Sequence, residues 1–479
     1  MTNDVLVLAI VAPLAGALLA AVWQRRAEAI GLIAAVVTTV AAIRVLFAVS
    51  DGGALTQALG GWSPGLGIAL RADALAALML ALTAVVALAG SVYATRYFVR
   101  GDTRTRFWPL WLLLWTALNA LLLAGDLFNI YVTLELLGLS AVALAALGGK
   151  RAAVEASLRY LLVGLLGSMA YLAGVALLYA AYGSLDLPTV AASLRPEPAA
   201  WLALALMTGG LLLKTALFPL HFWLPPAHAN APAPVSAALS ALVVKAGFYL
   251  VLRLWLDLFP AVLTPAAGQI LAVLGAAAVL WGSWQALRAE RLKLLAAYST
   301  VAQLGYLFLG LGLLLPLDEG AARDTLFGGL VILALTHGLA KAGLFFAIGV
   351  VQQRSGHDRI ADLDGTAQRL PATTFAIALA GVALIGLPPS GAFLGKWQLI
   401  KGALAAGQWL WVLVIAAGSL LASAYVFRVL GHAFGNRAYP NRPVNVAREE
   451  WPALLLGACA TAGLGLAGGW LWTFLGVTS

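Results

Sequence analysis

Residues 201–237 read WLALALMTGGLLLKTALFPLHFWLPPAHANAPAPVSA. An apolar run carries one charge, Lys214, thirteen residues in, and then meets a proline-rich break holding Pro219, Pro225, Pro226, His221 and His228; no further charge occurs until Lys245. About 20 apolar residues form a helix long enough to cross a bilayer. Proline removes a backbone donor and clashes with the preceding turn. In hydrocarbon, such an interruption is tolerated only where protein or a hydrated cavity surrounds it. The stretch is therefore an interrupted membrane span with a lysine inside it.

The rest of the chain agrees. Of 479 residues, 62% are hydrophobic and 10% charged, with a mean hydropathy of +0.94, against roughly a quarter charged in ordinary soluble domains. That excludes a water-soluble globule. Fourteen apolar runs are expected as spans, at about 4–23, 29–48, 74–95, 107–124, 127–147, 160–182, 200–218, 235–252, 263–287, 294–315, 325–350, 371–387 with a continuation to 400, 409–430 and 452–474. The fold class is all-α and polytopic. The first run is too long and too uncharged at its start for a cleaved signal peptide. A net charge of +9 would suggest nucleic acid in a soluble protein; here an excess in cytoplasmic loops explains it, and no nucleic-acid partner is expected.

Sorting the basic residues by loop tests the span count. One side collects nineteen: Arg25, Arg26, Arg96, Arg100, Arg104, Arg106, Lys150, Arg151, Arg159, Arg288, Arg291, Lys293, Arg354, Arg359, Arg369, Arg428, Arg437, Arg442 and Arg448. The other has Arg71, Arg195, Arg253, Arg323 and Lys401. The positive-inside rule then places both termini on the non-cytoplasmic side of the cell membrane.

Five basic residues remain within spans, Arg44, Lys214, Lys245, Lys341 and Lys396, with one carboxylate, Glu135. Arg44 lies near the end of its run and can snorkel to the interface. Glu135, in GDLFNIYVTLELLGLSA, follows Asp126 by nine residues, about 13 Å at 1.5 Å per residue, near the midplane. A short carboxylate cannot snorkel that far. Each central charge costs at least roughly 2.5–3.5 kcal/mol to insert. A Glu–Lys pair across neighbouring helices offsets that cost, while desolvation pushes lysine towards releasing its proton. A lysine between those influences can be switched by moving its partner.

In LALTHGLAKAGLFFAIG, His337 and Lys341 stand one turn apart on a common face. A membrane histidine can serve helix packing; beside a lysine it can also pass protons, accepting on one nitrogen while donating from the other. His221 and His228 lack metal-ligand spacing, and both structural and proton-uptake roles stay open for them. A second break, ALIGLPPSGAFLGKWQLIKGAL, sets Pro388 and Pro389 just before Lys396. Two LPP-containing breaks in different halves, each near an intramembrane lysine, match the discontinuous helices of repeat-built transporters. A scaffold has no use for these charges. The single cysteine, Cys459, excludes an internal disulfide and a cysteine-ligated metal or iron–sulfur site. No haem ligand set or glycine-rich dinucleotide loop occurs, so no cofactor is expected.

The segments GDLFNIYVTLELLGLSA, LLLKTALFPLHFWLPPAHANAPAPVSAALSALVVKAGFY, THGLAKAGLFF and GLPPSGAFLGKW resemble the antiporter-like, proton-conducting subunits shared by respiratory complex I, membrane-bound hydrogenases and Mrp-type multisubunit cation/proton antiporters. The resemblance covers nearly the whole chain. It implies two inverted five-helix repeats, helices four to eight and nine to thirteen, with helices seven and twelve broken. The domains would be 1–106, an N-terminal three-helix segment; 107–254 and 263–431, the repeats; and 432–479, a loop and last helix. Glu135 would be the helix-five glutamate, Lys214 its helix-seven partner, Lys245 the helix-eight connecting lysine, His337 and Lys341 the helix-eleven relay, and Lys396 the terminal group. The run DLFNIYVTLELL and the chain length most resemble the D-type members of Mrp antiporters. With its end five residues past the last run, the chain is expected to lack the lateral helix of the largest complex I antiporter-like subunit. A lysine at 396 departs from the glutamate of another. The implied function is proton translocation in a monovalent cation/proton antiporter, beside other membrane subunits. The alternative is a proton-pumping subunit of a complex I-type oxidoreductase or membrane-bound hydrogenase. In either case the chain is a transporter subunit with no redox site of its own.

Overall fold

The computed structural model describes residues 4–62, 67–98, 101–435 and 447–477. Three of the loop residues sorted above, Arg100, Arg437 and Arg442, lie outside them. Among the described residues, twelve helices are long and apolar enough to cross a membrane, and thirteen if one bent pair counts as a span. They are α1 (Asp4–Val22), α2 (Ala27–Gly52), α3 (Ala74–Tyr97), α4 (Asp102–Leu123), α5 (Leu127–Ala146), α6 (Arg151–Tyr182), then after a short α7 (Leu187–Ser193) the α8 helix (Pro198–Thr215). A short α9 (Leu224–Asn230) leads into α10 (Ala233–Leu258), followed by α11 (Pro265–Arg288), α12 (Leu292–Leu314) and α13 (Ala321–Ser355). Two 15-residue helices, α14 (Pro371–Ile385) and α15 (Gly391–Ala405), flank Pro388 and Pro389, so the twelfth expected span is two half-helices. Then come α16 (Leu410–Ala433) and the bent pair α17 (Trp451–Leu466) and α18 (Gly468–Phe474).

Three expectations need correction. The run at 452–474 is not a straight span: α17 and α18 meet at 69°, where Gly465, Gly468 and Gly469 weaken the helix and Gly465 lies against the Pro389 carbonyl. Lys293 and Arg253 are not loop residues. Lys293 is the second residue of α12 and buried, because its ammonium turns inward to the Ala231 carbonyl. Arg253 lies within α10 and finds its partners there. Arg44 is exposed on α2, which runs on to Gly52.

The chain forms two compact units. The first comprises Met1–Ser91, Phe98–Ala216 and Leu242–Thr264. Its centre is α4, where Trp108, Trp111 and Trp115 are buried; the Trp111 indole donates to Ser91 Oγ at 2.9 Å and the Asn119 amide to the Ala9 carbonyl at 2.7 Å. Helices α6 and α8 meet backbone to backbone, since a Cβ on Gly167 would stand 2.7 Å from the Gly210 carbonyl. Small residues drive such association because lipid supplies no hydrophobic force between helices. An antiparallel hairpin, β1 (Leu55–Ala58) with β2 (Ala69–Ala72), pairs Leu55 with Ala72. The outer faces of α2 and α6 show Ile33, Phe47, Leu158 and Leu162, side chains suited to lipid.

The second unit comprises Val92–Tyr97, Leu217–Ala241 and Pro265–Ser479. Here α13 is buried without interruption from 328 to 351. Helix α11 lies on α12 through Gly275 and Gly305, where a Cβ on Gly305 would sit 2.5 Å from the Gly275 carbonyl. That approach brings α12 deep into the unit, with Lys293, Ser299, Thr300 and Gln303 all buried.

Candidate functional site

In the first unit, Asp126 starts α5 by accepting from the Asn129 N–H at 2.7 Å. That cap fixes the register which turns Glu135 towards α8. Burial, with the neighbouring Asp186 charge adding to it, pushes the Asp126 carboxyl above the usual aspartate range despite the N–H bonds from Asn129 and Phe128. Lys214, in the last turn of α8, stands 3.6 Å from Glu135, and the two side chains are 10% and 21% exposed. Glycines make the space: a Cβ on Gly167 would stand 3.2 Å from Lys214 Cγ, and one on Gly138 3.6 Å from Nζ. A cavity of about 10 Å³ touches both charged groups, close to the room one water needs. Helix α8 stops because Ala216 turns left-handed, with φ 56°, and Pro219 lies in the turns beyond it.

Lys245 is fully buried on α10, between two stretches of π-helix, Leu239–Val243 and Leu254–Leu258. Such widened turns are frequent at functional sites. Two turns further, Arg253 donates to Asp73, to Asp257 at 3.1 Å and to the Tyr249 hydroxyl at 3.1 Å. Burial pushes Asp73 up, but the hydrogen bond and charge of Arg253 overcome it and hold the carboxyl below its usual range. Arg253 and Asp257 line a cavity of about 350 Å³ with Arg71 and Asp186.

In the second unit, Lys341 donates to the Ala296 carbonyl at 2.9 Å and to Ser299 Oγ, both on α12. His337, one turn earlier on α13, is also buried. Lys396, on α15, donates to the Ile385 carbonyl at 2.9 Å, to Leu384 at 3.4 Å and to Ser419 Oγ at 3.0 Å. The two carbonyls belong to the end of α14, whose last turn has no intrahelical donors. The helix break at Pro388 and Pro389 thus supplies the ammonium with acceptors. Its Nζ also lies 4.3 Å from the centre of the Tyr306 ring, a favourable place for a cation. Gly386 is required: its φ is 84°, and a Cβ would meet Lys396 Cδ at 2.9 Å.

Of the two break histidines, His228 is fully buried in α9 and stacked on Phe345 at 5.0 Å. His221 is half-buried beside Phe218. Pro225 and Pro226 open α9, where a missing N–H costs nothing. Among the described residues, no group of three or more His, Cys, Asp or Glu is placed to hold a metal.

Lys293 joins the buried lysines although its place in the sequence does not mark it as one of them. Its ammonium reaches inward to the Ala231 carbonyl at 2.6 Å, at the end of α9. Its own N–H donates to Asp358, which also accepts from Arg291 at 2.9 Å. The signal available was its helical spacing with Ala297 and Thr300, four and seven residues on, on a single run.

Interrupted spans whose free carbonyls hold lysines, and a Glu–Lys pair sheltered between helices, define a polytopic membrane protein of the ion-translocating class. The chain belongs to the NADH:quinone oxidoreductase/Mrp antiporter transmembrane family, whose model matches residues 124–422. It is 39% identical to the N-type subunit of the NADH-quinone oxidoreductase of Desulforudis audaxviator, over 85% of this chain and 82% of that one. It is 29% identical to the D-type subunit of the Na(+)/H(+) antiporter of Bacillus subtilis, over 80% and 76%. Its fold matches a chain of the Mrp complex from a Dietzia species with a TM-score of 0.89 at 27% identity, over 99% and 96%. The protein is an antiporter-like, proton-translocating membrane subunit.

Proposed function

We propose that this chain moves protons in a Mrp-type monovalent cation/proton antiporter of the cell membrane, assembled with other membrane subunits and with both termini on the non-cytoplasmic side. The observation that carries the reading is the pair Glu135–Lys214 at 3.6 Å. It is a lysine whose charged state depends on a movable carboxylate. Glu135 sets the state of Lys214, and protons pass by way of Lys245, His337, Lys341 and Lys396, with His221 and His228 on the uptake side. The match to the Mrp complex over nearly the whole chain supports it.

The higher identity to an oxidoreductase subunit favours a second reading, in which the same relay is driven by redox chemistry on other subunits. Purifying the native complex distinguishes the two: flavin or iron–sulfur absorbance supports the redox-driven complex, and sodium-dependent proton movement without it supports the antiporter. Glu135→Ala and Lys214→Ala should each abolish proton movement in everted vesicles while assembly persists. Full activity in either variant overturns the relay.

A further inference from the structure

Lys396 depends on two pieces of helix that no continuous ladder joins. It rides on α15, while its carbonyl acceptors, Leu384 and Ile385, end α14. Residues 386–390 run between them, and Pro388 and Pro389 have no backbone N–H with which to stiffen the join. What packs across the two halves therefore sets their relation. Helix α13 lies on α15, where a Cβ on Gly395 would stand 2.8 Å from the Gly329 carbonyl. Helix α17 meets all three parts in order. On α14, the Leu379 carbonyl accepts at 2.7 Å from the Thr461 hydroxyl, which also reaches the Gly457 carbonyl at 2.7 Å. At the break, a Cβ on Gly465 would collide with the Pro389 carbonyl oxygen and stand 2.7 Å from its carbon. At the start of α15, a Cβ on Gly391 would stand 3.0 Å from Leu464 Cβ. The irregular part of α17 falls on this same stretch: a π-helical turn covers Cys459–Gly463, and the 69° bend into α18 follows. Widened turns of this kind are frequent at functional sites.

Resting on the function proposed above, in which Lys396 carries protons, we infer that α17 is a splint across the α14–α15 break, with Thr461 and Gly465 as positioning residues for Lys396. Thr461 ties the splint to α14. Gly465 lets its backbone reach that of Pro389, and a close-packed interior transmits a displacement there instead of absorbing it. The next residue, Ser390, caps α15 by accepting from the Phe393 N–H at 3.1 Å. When Pro389 is pushed, that cap moves, and Lys396, six residues further along α15, moves against the carbonyls of α14. Little movement is needed. The bond to Ile385 is 2.9 Å and the one to Leu384 already 3.4 Å, so a shift of about half an ångström takes both beyond ordinary hydrogen-bond range.

The test measures proton movement against pH in everted vesicles that hold the intact membrane complex, at matched levels of assembled protein, for wild type, Gly465→Ala, Thr461→Val, Thr461→Ser, Gly469→Ala and Lys396→Met. Gly465→Ala should slow transport about 10-fold or more and displace its pH profile, because hydrogen bonds to an ammonium favour its charged form and their loss changes where the group titrates. Thr461→Val, which removes the hydroxyl at nearly constant volume, should act in the same sense by a few-fold, about the worth of one hydrogen bond. Thr461→Ser should restore both rate and profile. Gly469→Ala, whose Cβ would meet nothing within 4 Å, should change neither. Wild-type rates in Gly465→Ala overturn the splint, as does slowing with an unmoved profile, which marks a packing defect. Should Gly465→Ala fail to assemble, Thr461→Val decides by the same two readings. Retained transport in Lys396→Met overturns the proposed role of Lys396, and with it the splint. Loss in Lys396→Met with wild-type rate and profile in Gly465→Ala and Thr461→Val overturns the splint alone.

Discussion

The two units hold their lysines by different means. In the first, Lys214 faces a carboxylate at 3.6 Å. In the second, Lys341 and Lys396 are held by carbonyls and by Ser299 and Ser419. An ion pair and a neutral cradle respond differently to loss of a proton. When Lys214 becomes neutral, Glu135 is left as an uncompensated buried charge, and the pair is driven to recover a proton or to move apart. When Lys396 becomes neutral, its acceptors carry no charge and lose little. The first arrangement senses the charge of its partner, and the second tolerates both protonation states.

The largest expected effect breaks this contrast directly. Lys214→Met strands Glu135 and should destabilise the protein by about 3–5 kcal/mol, the usual cost of removing one member of a buried pair. Lys396→Met leaves only neutral acceptors behind and should cost about 1–3 kcal/mol. Thermal denaturation of the purified protein in detergent measures both. The double variant Glu135→Gln/Lys214→Met should regain most of the lost stability without regaining transport. Equal destabilisation by the two single lysine variants would remove the distinction between the units.

Next is a pair of glycines. Gly386→Ala forces a left-handed position onto a residue with a Cβ, costing roughly 1–2 kcal/mol, and pushes at Lys396 Cδ from 2.9 Å. Gly138→Ala meets Lys214 Nζ only at ordinary contact distance. Transport should fall about 10-fold in the first, as misplaced catalytic groups typically show, and stay near wild type in the second. Vesicle assays at matched protein levels read the difference.

Much of the site was legible because charge in an apolar run is expensive and therefore visible. Glu135, Lys214, Lys245, Lys341 and Lys396 stood out for that reason, and prolines beside two of them marked the breaks. Lys293 and Arg253 were hidden because a charge at the edge of a run looks the same whether its side chain turns out to water or in to a carbonyl; packing decides, and a linear pattern does not contain it. Ser299 and Ser419, which hold Lys341 and Lys396, were hidden more deeply. Hydroxyls and amides cost little in a helix that can satisfy them, and their meeting depends on which helices touch. The bend between α17 and α18 had a glycine signal but no proline, and the hydropathy of the run concealed it.

Lys293 offers a smaller test of the second unit. If its hold on the Ala231 carbonyl only positions the end of α9, Lys293→Met should lower transport a few-fold with an unchanged pH profile, about the effect of one lost charge-assisted hydrogen bond. If Lys293 also titrates during uptake, the pH profile of transport shifts while Lys293→Arg, which keeps a donor, stays slow. A proton-flux titration across pH 6–9 in vesicles separates the two.

The smallest effect concerns the first unit outside the membrane. Asp73 has its carboxyl lowered by Arg253, so the ionised form is favoured on folding and the folded state binds its proton more weakly than the unfolded chain. Its contribution to stability is therefore complete above the ordinary aspartate value of about 3.9 and disappears as pH falls through the lowered value. Asp73→Asn should cost about 1 kcal/mol at neutral pH, as partly exposed ion pairs do. Below the lowered value, wild type and variant should melt together. A difference between them that persists undiminished in acid would mean that shape, and not the charge of Asp73, secures the C-terminal end of α10, where Arg253 also meets Asp257 and Tyr249.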